Sequence, residues 1–173
     1  MPLACLQTHK ISFRSMITAI SQKYNQIDKA ITGWMTENGI RLLRISLGVI
    51  FLWFGFLKFF PGSSPAEQLA TNTISILTFG IIKPAVSIYM LAAMETLIGL
   101  GLIFRIFLRT TLLILFFQML GTVTPLFLFP AETFTLVPIS PTLEGQYIIK
   151  NIVLVSAGIV IGSTVRKRAE KIN

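Results

Sequence analysis

Four long apolar stretches, separated by short polar segments, dominate the pattern of hydrophobic and polar positions along the chain. They cover residues 42–60, 84–104, 110–129 and 147–165. Each is close to the roughly 20 residues that a helix needs to cross about 30 Å of hydrocarbon. Only helices and closed barrels satisfy backbone polar groups in lipid, and the alternating pattern of barrel strands does not occur in the sequence. The pattern therefore predicts an all-α fold, a four-helix transmembrane bundle.

The first 40 residues follow a different pattern. From Ile17 to Trp34, apolar residues recur at alternating spacings of three and four, and polar residues occupy most of the opposite positions. This periodicity predicts an amphipathic helix. Such a basic helix is expected to lie on the inner membrane surface or, alternatively, to dock a soluble partner. Asn38-Gly39 predicts a break between this N-terminal segment (1–40) and the membrane domain (41–165), which a basic tail (166–173) follows.

The segments that connect the spans on the outer side carry their own signals. Ser64, Pro65 and Glu67 combine an N-cap, a proline at the first helical position and a capping box. They predict a short outer-surface helix between spans one and two that ends near Gly80. Residues 130–141 contain three prolines, which predicts an ordered, extended connection between spans three and four.

Basic residues are distributed unevenly, and this predicts the orientation of the spans. Of the 15 lysines and arginines, 12 precede or open span one, lie between spans two and three, or follow span four. The positive-inside rule then places both termini in the cytoplasm. The net charge of +8 is therefore interpreted as topogenic charge that also contacts anionic lipid, and nucleic acid is not expected as a partner.

Composition excludes a soluble domain and several kinds of covalent or cofactor site. Hydrophobic residues make up 53% of the chain and charged residues 13%, which leaves too little polar surface for a soluble domain of this size. Cys5 is the single cysteine and His9 the single histidine, and both belong to the N-terminal segment. An internal disulfide and a bis-histidine haem within the bundle are therefore excluded, and no metal is expected.

Three ionisable residues in or at the ends of apolar stretches are the candidates for function: Lys58, Glu95 and Lys150. A charge near the bilayer centre costs roughly 2.5–3.5 kcal/mol, so such residues usually face a partner or a wet cavity. At about 1.5 Å per residue, Glu95 lies roughly 16 Å below the start of span two and Lys150 roughly 12 Å below Thr142. Lys58 is close to the outer end of span one. The count predicts a buried Glu95–Lys150 pair in the outer half, with Lys58 at the outer rim. From there Lys58 can reach inward, extend to lipid headgroups or pair with a loop carboxylate, Glu67, Glu132 or Glu144.

Three uncharged residues, Gln118, Thr122 and Asn151, complete the candidate polar pocket. Two interpretations remain open. In one, the charges form an ion pair that fixes helix register, and its disruption typically costs about 3–5 kcal/mol. In the other, Glu95 handles a proton or a hydrogen bond, while Lys150 and Lys58 bind an anion, a quinone carbonyl or a reduced quinone.

Several motifs resemble one family. The segment from Arg44 to Pro61 reads RISLGVIFLWFGFLKFFP and resembles the first span of the DoxX-like membrane proteins, most closely the YkgB branch, which includes reactive-chlorine-resistance proteins. The resemblance extends over residues 41–165 and implies a multi-pass bundle in a bacterial inner membrane. It places Lys58, Glu95 and Lys150 within recurrent motifs, whereas Asn151 replaces an aspartate of some relatives. The later motifs that carry it are Glu95-x-x-Ile98-Gly99, Thr124-Pro125-Leu126 and Ile149-Lys150-Asn151.

The resemblance implies a role in oxidative or reactive-chlorine stress defence, as the quinone-interacting or anchoring subunit of a membrane redox complex. Because the chain has no redox-active side-chain pair, a bound quinone or a redox partner protein would have to carry the electrons. A non-enzymatic scaffold or assembly factor is the alternative, and whether the chain is an enzyme stays open. A solute carrier has little support, since no inverted repeat is visible. Gly158 and Gly162 form a GxxxG pair that allows either a homodimer or internal packing.

Overall fold

Helices make up most of the chain in the computed structural model, which describes the backbone of residues 3–60, 62–64 and 67–169 and the side chains of residues 21–60, 62–64 and 67–165. The chain divides into two units, residues 1–40 and 41–173, which are described separately. The start of the predicted amphipathic face, the Pro65 signal and the side chains of the basic tail lie outside the described residues.

Among the described residues, four helices are long and apolar enough to cross a membrane: Ser21–Leu57, Pro84–Phe104, Leu108–Leu128 and Leu143–Val165. This confirms the predicted all-α class with four candidate spans. In the described part of the chain the helices are α1 (Leu3–Leu57), α2 (Glu67–Leu77), α3 (Pro84–Phe104), α4 (Leu108–Val123), α5 (Pro125–Leu128), α6 (Pro130–Thr133) and α7 (Leu143–Ala169).

The ends of the spans differ from the predicted ones in ways that affect the site. The first apolar helix ends at Leu57 rather than at residue 60, and the fourth begins at Leu143 rather than at residue 147. Thr142, the residue from which the depth of Lys150 was counted, is confirmed as the N-cap of this helix, because its hydroxyl oxygen accepts a hydrogen bond from the Gly145 amide at 3.2 Å.

In the N-terminal unit, the predicted break at Asn38-Gly39 is wrong, because the backbone at both residues is helical. The Asn38 side-chain amide donates to the carbonyl oxygen of Trp34, one turn back, at 3.1 Å. The polar side chain thus supports the helix instead of ending it. The apolar stripe of this unit is exposed, and its role on a membrane surface stays a prediction. Its members include Tyr24, Ile27, Ile31 and Trp34.

In the second unit, glycines bring α1 and α3 into direct backbone contact. A methyl group added to Gly99 would stand 2.5 Å from the amide nitrogen of Leu52, and one added to Gly55 would stand 2.7 Å from that of Thr96. Small residues at helix crossings of this kind let membrane helices approach closely. Gly48 and Gly55, seven residues apart in α1 and so on one face of that helix, therefore both pack against α3.

Two further helix pairs complete the bundle: α3 packs against α4, and α4 packs against α7. Gly158 of α7 faces the Phe116 ring, which a methyl group there would approach to 3.1 Å, and Gly162 faces Leu112. The GxxxG pair thus serves packing inside the bundle. The buried core consists of Leu47, Phe51, Ile98, Leu102, Leu108, Leu112, Leu115, Met119, Ala157 and Ile161.

The connections between spans contain more structure than the sequence indicates. The short helix predicted between spans one and two is α2, and Gly80 follows it with φ of +76° and donates its amide to the Ser75 carbonyl at 2.7 Å. The predicted extended connection over residues 130–141 is wrong for its first four residues, which form α6. A two-stranded antiparallel ribbon follows, β1 (Phe134–Leu136) with β2 (Ser140–Pro141).

Candidate functional site

A carboxylate and a carboxamide lie at the middle of two neighbouring spans. Glu95 lies about 16 Å from the start of α3 and about 14 Å from its end, at about 1.5 Å per residue. Gln118 lies equally far from both ends of the segment Leu108–Leu128. Both are buried, with 8% and 5% of their surfaces exposed. This count places both residues at the middle of their helices, while the predicted location in the outer half of the membrane stays a prediction.

Lys58 is the cationic partner of Glu95. Its Nζ lies 2.7 Å from Glu95 Oε2, and each side chain is 11% exposed. The ammonium also donates to the carbonyl oxygen of Phe54 at 3.4 Å. Lys58 therefore supplies both the counter-charge of Glu95 and a donor for the last turn of α1.

The end of α1 explains this pairing. Gly55 packs against Glu95 and Thr96, so α1 ends beside the middle of α3 and not beside its start. Lys58 is the first residue after α1, and its amide donates to the Gly55 carbonyl at 3.2 Å. One turn beyond Gly55, its long side chain reaches the carboxylate.

The predicted Glu95–Lys150 pair is wrong. Lys150 is exposed, and its Nζ lies 6.0 Å from the ring centre of Tyr147. Among the described residues, the hydrogen-bond partners of the Glu95 carboxylate are Lys58 and Gln118. Counting depth from the sequence assumed that all span ends are level, whereas α1 ends early and α7 packs against α4. Asn151 is half-buried and also lies outside this set of partners.

Gln118 connects a third helix to the ion pair. Its Nε2 donates to Glu95 Oε1 at 2.7 Å. This orientation leaves Gln118 Oε1 buried without a hydrogen-bond partner among the described residues. The hydroxyl oxygen of Thr96 is likewise buried without a partner there. Thr122 donates its hydroxyl to the backbone carbonyl of Gln118 at 2.9 Å, so it supports the helix and not the side-chain cluster. We call Lys58, Glu95 and Gln118 the midspan cluster.

Sequence reasoning missed the roles of two residues near these helices. Thr96 contributes a second buried, unpartnered oxygen, and its place next to Glu95 was the available signal. Arg44 belongs to the basic residues that the sequence analysis interpreted only as topogenic charge. Its guanidinium donates to the carbonyl oxygens of Leu102 and Ile103, the latter at 2.8 Å. It therefore caps the end of α3, where carbonyl groups lack partners within the helix.

The packing around the midspan cluster is tight. The close approach of Gly55 to Glu95 and Thr96 leaves no room for a methyl group there. A cavity of about 350 Å³ opens elsewhere, between α2 and the start of α3, and none of its lining residues belongs to the cluster. Among the described residues, no group of three or more histidine, cysteine, aspartate or glutamate side chains is arranged to hold a metal ion.

Fold and site together define a multi-pass α-helical membrane protein with an ion pair buried between its spans. The family model DoxX matches residues 39–130, just over half of the chain, and the chain belongs to the DoxX family. The matched residues include the whole midspan cluster, whereas Lys150 and Asn151 fall outside them. Comparison with curated proteins gave no match. Comparison with solved structures gave none either.

Proposed function

We propose that this DoxX protein serves oxidative-stress defence in a bacterial inner membrane, including resistance to reactive chlorine, as a member of the YkgB branch. In this proposal both termini are cytoplasmic, because 12 of the 15 basic residues then lie on the inner side. The midspan cluster binds the headgroup of a membrane quinone. The observation that carries the proposal is the buried Lys58–Glu95–Gln118 network at the centre of the spans.

The hydrogen-bonding groups of the cluster are of the kinds that a quinone headgroup requires. Lys58 has three N–H donors, of which Glu95 and the Phe54 carbonyl take two, so one can reach a ligand oxygen. Glu95 offers a carboxylate that can accept a proton, and Gln118 Oε1 is an acceptor that has no partner among the described residues. A bound quinone would supply two-electron redox chemistry, for which the chain itself has no cysteine pair. A partner protein would exchange the electrons.

Quinone content tests this proposal directly. The full chain is extracted with its surrounding lipid into polymer nanodiscs, and quinone per chain is measured by liquid chromatography and mass spectrometry. We expect about one quinone per chain, and a loss of about tenfold or more in Glu95→Gln, because a hydrogen bond to a charged group contributes about 1.5–3 kcal/mol. The matched control is Glu132→Gln, which neutralises an exposed carboxylate outside the cluster. Equal quinone content in both variants would contradict the proposal.

The second candidate function is a scaffold or assembly factor in which the cluster only holds helices together. Tight packing at Gly55 and the direct 2.7 Å ion pair favour it, since neither needs a ligand. The test is a charge swap, Lys58→Glu with Glu95→Lys, assayed as survival of cells in hypochlorite. Recovery of resistance relative to the single variants would support the scaffold. A folded swap variant that leaves cells as sensitive as a deletion would refute it.

In this proposal the protein forms a homodimer and binds a redox partner protein. Because Gly158 and Gly162 face Phe116 and Leu112 within the bundle, a homodimer would use a different surface. The molar mass of the purified protein, corrected for bound detergent by light scattering, tests the dimer. Cross-linking in intact cells, followed by mass spectrometry, tests the partner.

A further inference from the structure

Three arginines converge where α3 ends. Arg44 of α1 donates to the carbonyl oxygens of Leu102 and Ile103. Arg105 follows two residues later as the cap of α3, with φ of 60° and its amide bonded to the Gly101 carbonyl. Arg41 precedes Arg44 by one helical turn, on the same side of α1. We call Arg41, Arg44 and Arg105 the arginine cluster.

The arginine cluster has no internal counter-charge among the side chains that the structure describes. The positive charges of Arg105 and Arg41 both act on the Arg44 guanidinium. Within residues 21–60, 62–64 and 67–165, the single ion pair is that of Lys58 with Glu95. An anion beside Arg44 would stabilise these cations, and no carboxylate among the described side chains lies within 4.0 Å of the three guanidinium groups.

The backbone that presents the cluster is held in place. The hydroxyl of Thr111 donates to the carbonyl oxygens of Ile106 and Phe107, at 3.1 and 3.3 Å. Gly101 packs directly against the Thr111 side chain. The turn after α3 is therefore fixed between two helices. Because Arg44 is bonded to backbone carbonyls through Nη1, its remaining guanidinium donors are oriented before any ligand arrives.

Apolar side chains beside the cluster indicate what kind of anion fits. Phe104, Ile106 and Phe107 are 66%, 53% and 82% exposed, and Leu42 and Ile45 next to the α1 arginines are exposed as well. A free phosphate ion has no apolar part that could pack against these side chains. An amphiphile with a phosphate headgroup and hydrocarbon chains satisfies both the arginines and the apolar side chains.

We propose that the arginine cluster is a binding site for the phosphate of an anionic phospholipid, whose acyl chains lie along Phe104, Ile106 and Phe107. Guanidinium groups bind phosphate oxygens in a bidentate manner, which gives a defined site in addition to the general attraction of basic residues for a charged surface. The proposal does not depend on the midspan cluster or on quinone.

The test measures lipid binding to the delipidated full chain. Native mass spectrometry of the detergent-purified protein is used to titrate phosphatidylglycerol, cardiolipin, phosphatidylcholine and inorganic phosphate. The variant R41Q/R105Q leaves the Arg44–carbonyl contacts intact. We expect affinity for phosphatidylglycerol to fall about 5-fold per arginine, hence about 25-fold in the double variant. Lys83→Gln, which removes one exposed charge at the opposite end of α3, should bind phosphatidylglycerol like the unaltered protein.

Three results would overturn this proposal. They are equal phosphatidylglycerol affinity in R41Q/R105Q and the unaltered protein, equal affinity for phosphatidylcholine and phosphatidylglycerol, and inorganic phosphate displacing the lipid at comparable concentrations. The last result would identify a free-anion site. Thermal unfolding by circular dichroism checks that the double variant folds. If it does not, R41Q alone is measured and should show the 5-fold loss, about that of one arginine.

Discussion

Lys58 and Arg44 both place a cation against α3, yet the two sites satisfy it differently. At the middle of the span, Lys58 is paired with the Glu95 carboxylate. At the end of α3, Arg44 is bonded to the backbone carbonyls of Leu102 and Ile103. Carbonyls without partners exist only at helix ends, so they can serve a cation there. A cation at mid-span needs a charged side chain as its partner. Each of the two charges then depends on the other for its neutralisation.

The largest expected effect comes from breaking the mid-span pair. Lys58→Met leaves the Glu95 carboxylate buried without its cation, and removing one member of a buried pair typically costs about 3–5 kcal/mol. The free energy of unfolding, measured by denaturant titration in mixed micelles, should fall by that amount. Lys83→Met serves as the control, because Lys83 is exposed. A loss as small as that of the control would mean that the ion pair contributes little to stability.

The second largest loss in the free energy of unfolding is expected from disrupting the contact between α1 and α3 at Gly99. Gly99 lies between the two sites in α3, and a methyl group there would meet the Leu52 backbone at 2.5 and 2.7 Å. Gly99→Ala should therefore cost about 1–3 kcal/mol through overpacking. Gly121→Ala is the matched control, since nothing lies within 4 Å of a methyl group there. The control should be neutral or stabilising by up to about 1 kcal/mol. Equal stability of the two alanine variants would argue against a close α1–α3 contact.

Loss of Arg44, which is bonded to backbone carbonyls, should lower the free energy of unfolding less than loss of Lys58, which is paired with a carboxylate. Arg44→Gln loses hydrogen bonds and a favourable charge at the end of α3, which together contribute up to about 2 kcal/mol. Arg109→Gln removes an exposed charge nearby and should change unfolding by less than about 0.5 kcal/mol. A loss in Arg44→Gln as large as that in Lys58→Met would remove the distinction between the two sites.

The smallest effect is expected at Gln118. Gln118→Leu removes a hydrogen bond to a carboxylate, worth about 1.5–3 kcal/mol, but it also removes a buried oxygen without a partner, a penalty of about 1–3 kcal/mol. The two contributions nearly cancel, so unfolding should change by less than about 1 kcal/mol. A loss above that, measured in the same titration, would indicate that Gln118 Oε1 has a partner in the membrane.

The sequence predicts the components of this protein better than their pairing. Apolar length identifies the four candidate spans, and the cost of an intramembrane charge identifies Lys58 and Glu95. Gly48 and Gly55 indicate the packing face of α1. The partner of Glu95 could not be predicted, because pairing depends on the relative height of helices. That height is set by the contact of Gly55 with Thr96, across 41 positions of the sequence.

The role of Arg44 was also hidden from the sequence. Its contacts are backbone carbonyls, which leave no signal in residue type, and they lie 58 and 59 positions further along the chain. The ribbon of β1 and β2 was hidden for a related reason, since two very short strands carry no detectable alternation. In both cases the determinant is a backbone group brought close by the tertiary fold.

The ion pair between α1 and α3 also has a consequence for synthesis of the protein. Lys58 is made 37 residues before Glu95. At about 5–20 residues per second, the first span carries an unpaired cation at its end for about 2–7 seconds before its carboxylate leaves the ribosome. During that interval the Lys58 ammonium lacks the carboxylate that it pairs with in the folded protein. The cation at the end of the first span is therefore neutralised only when the second span has been made.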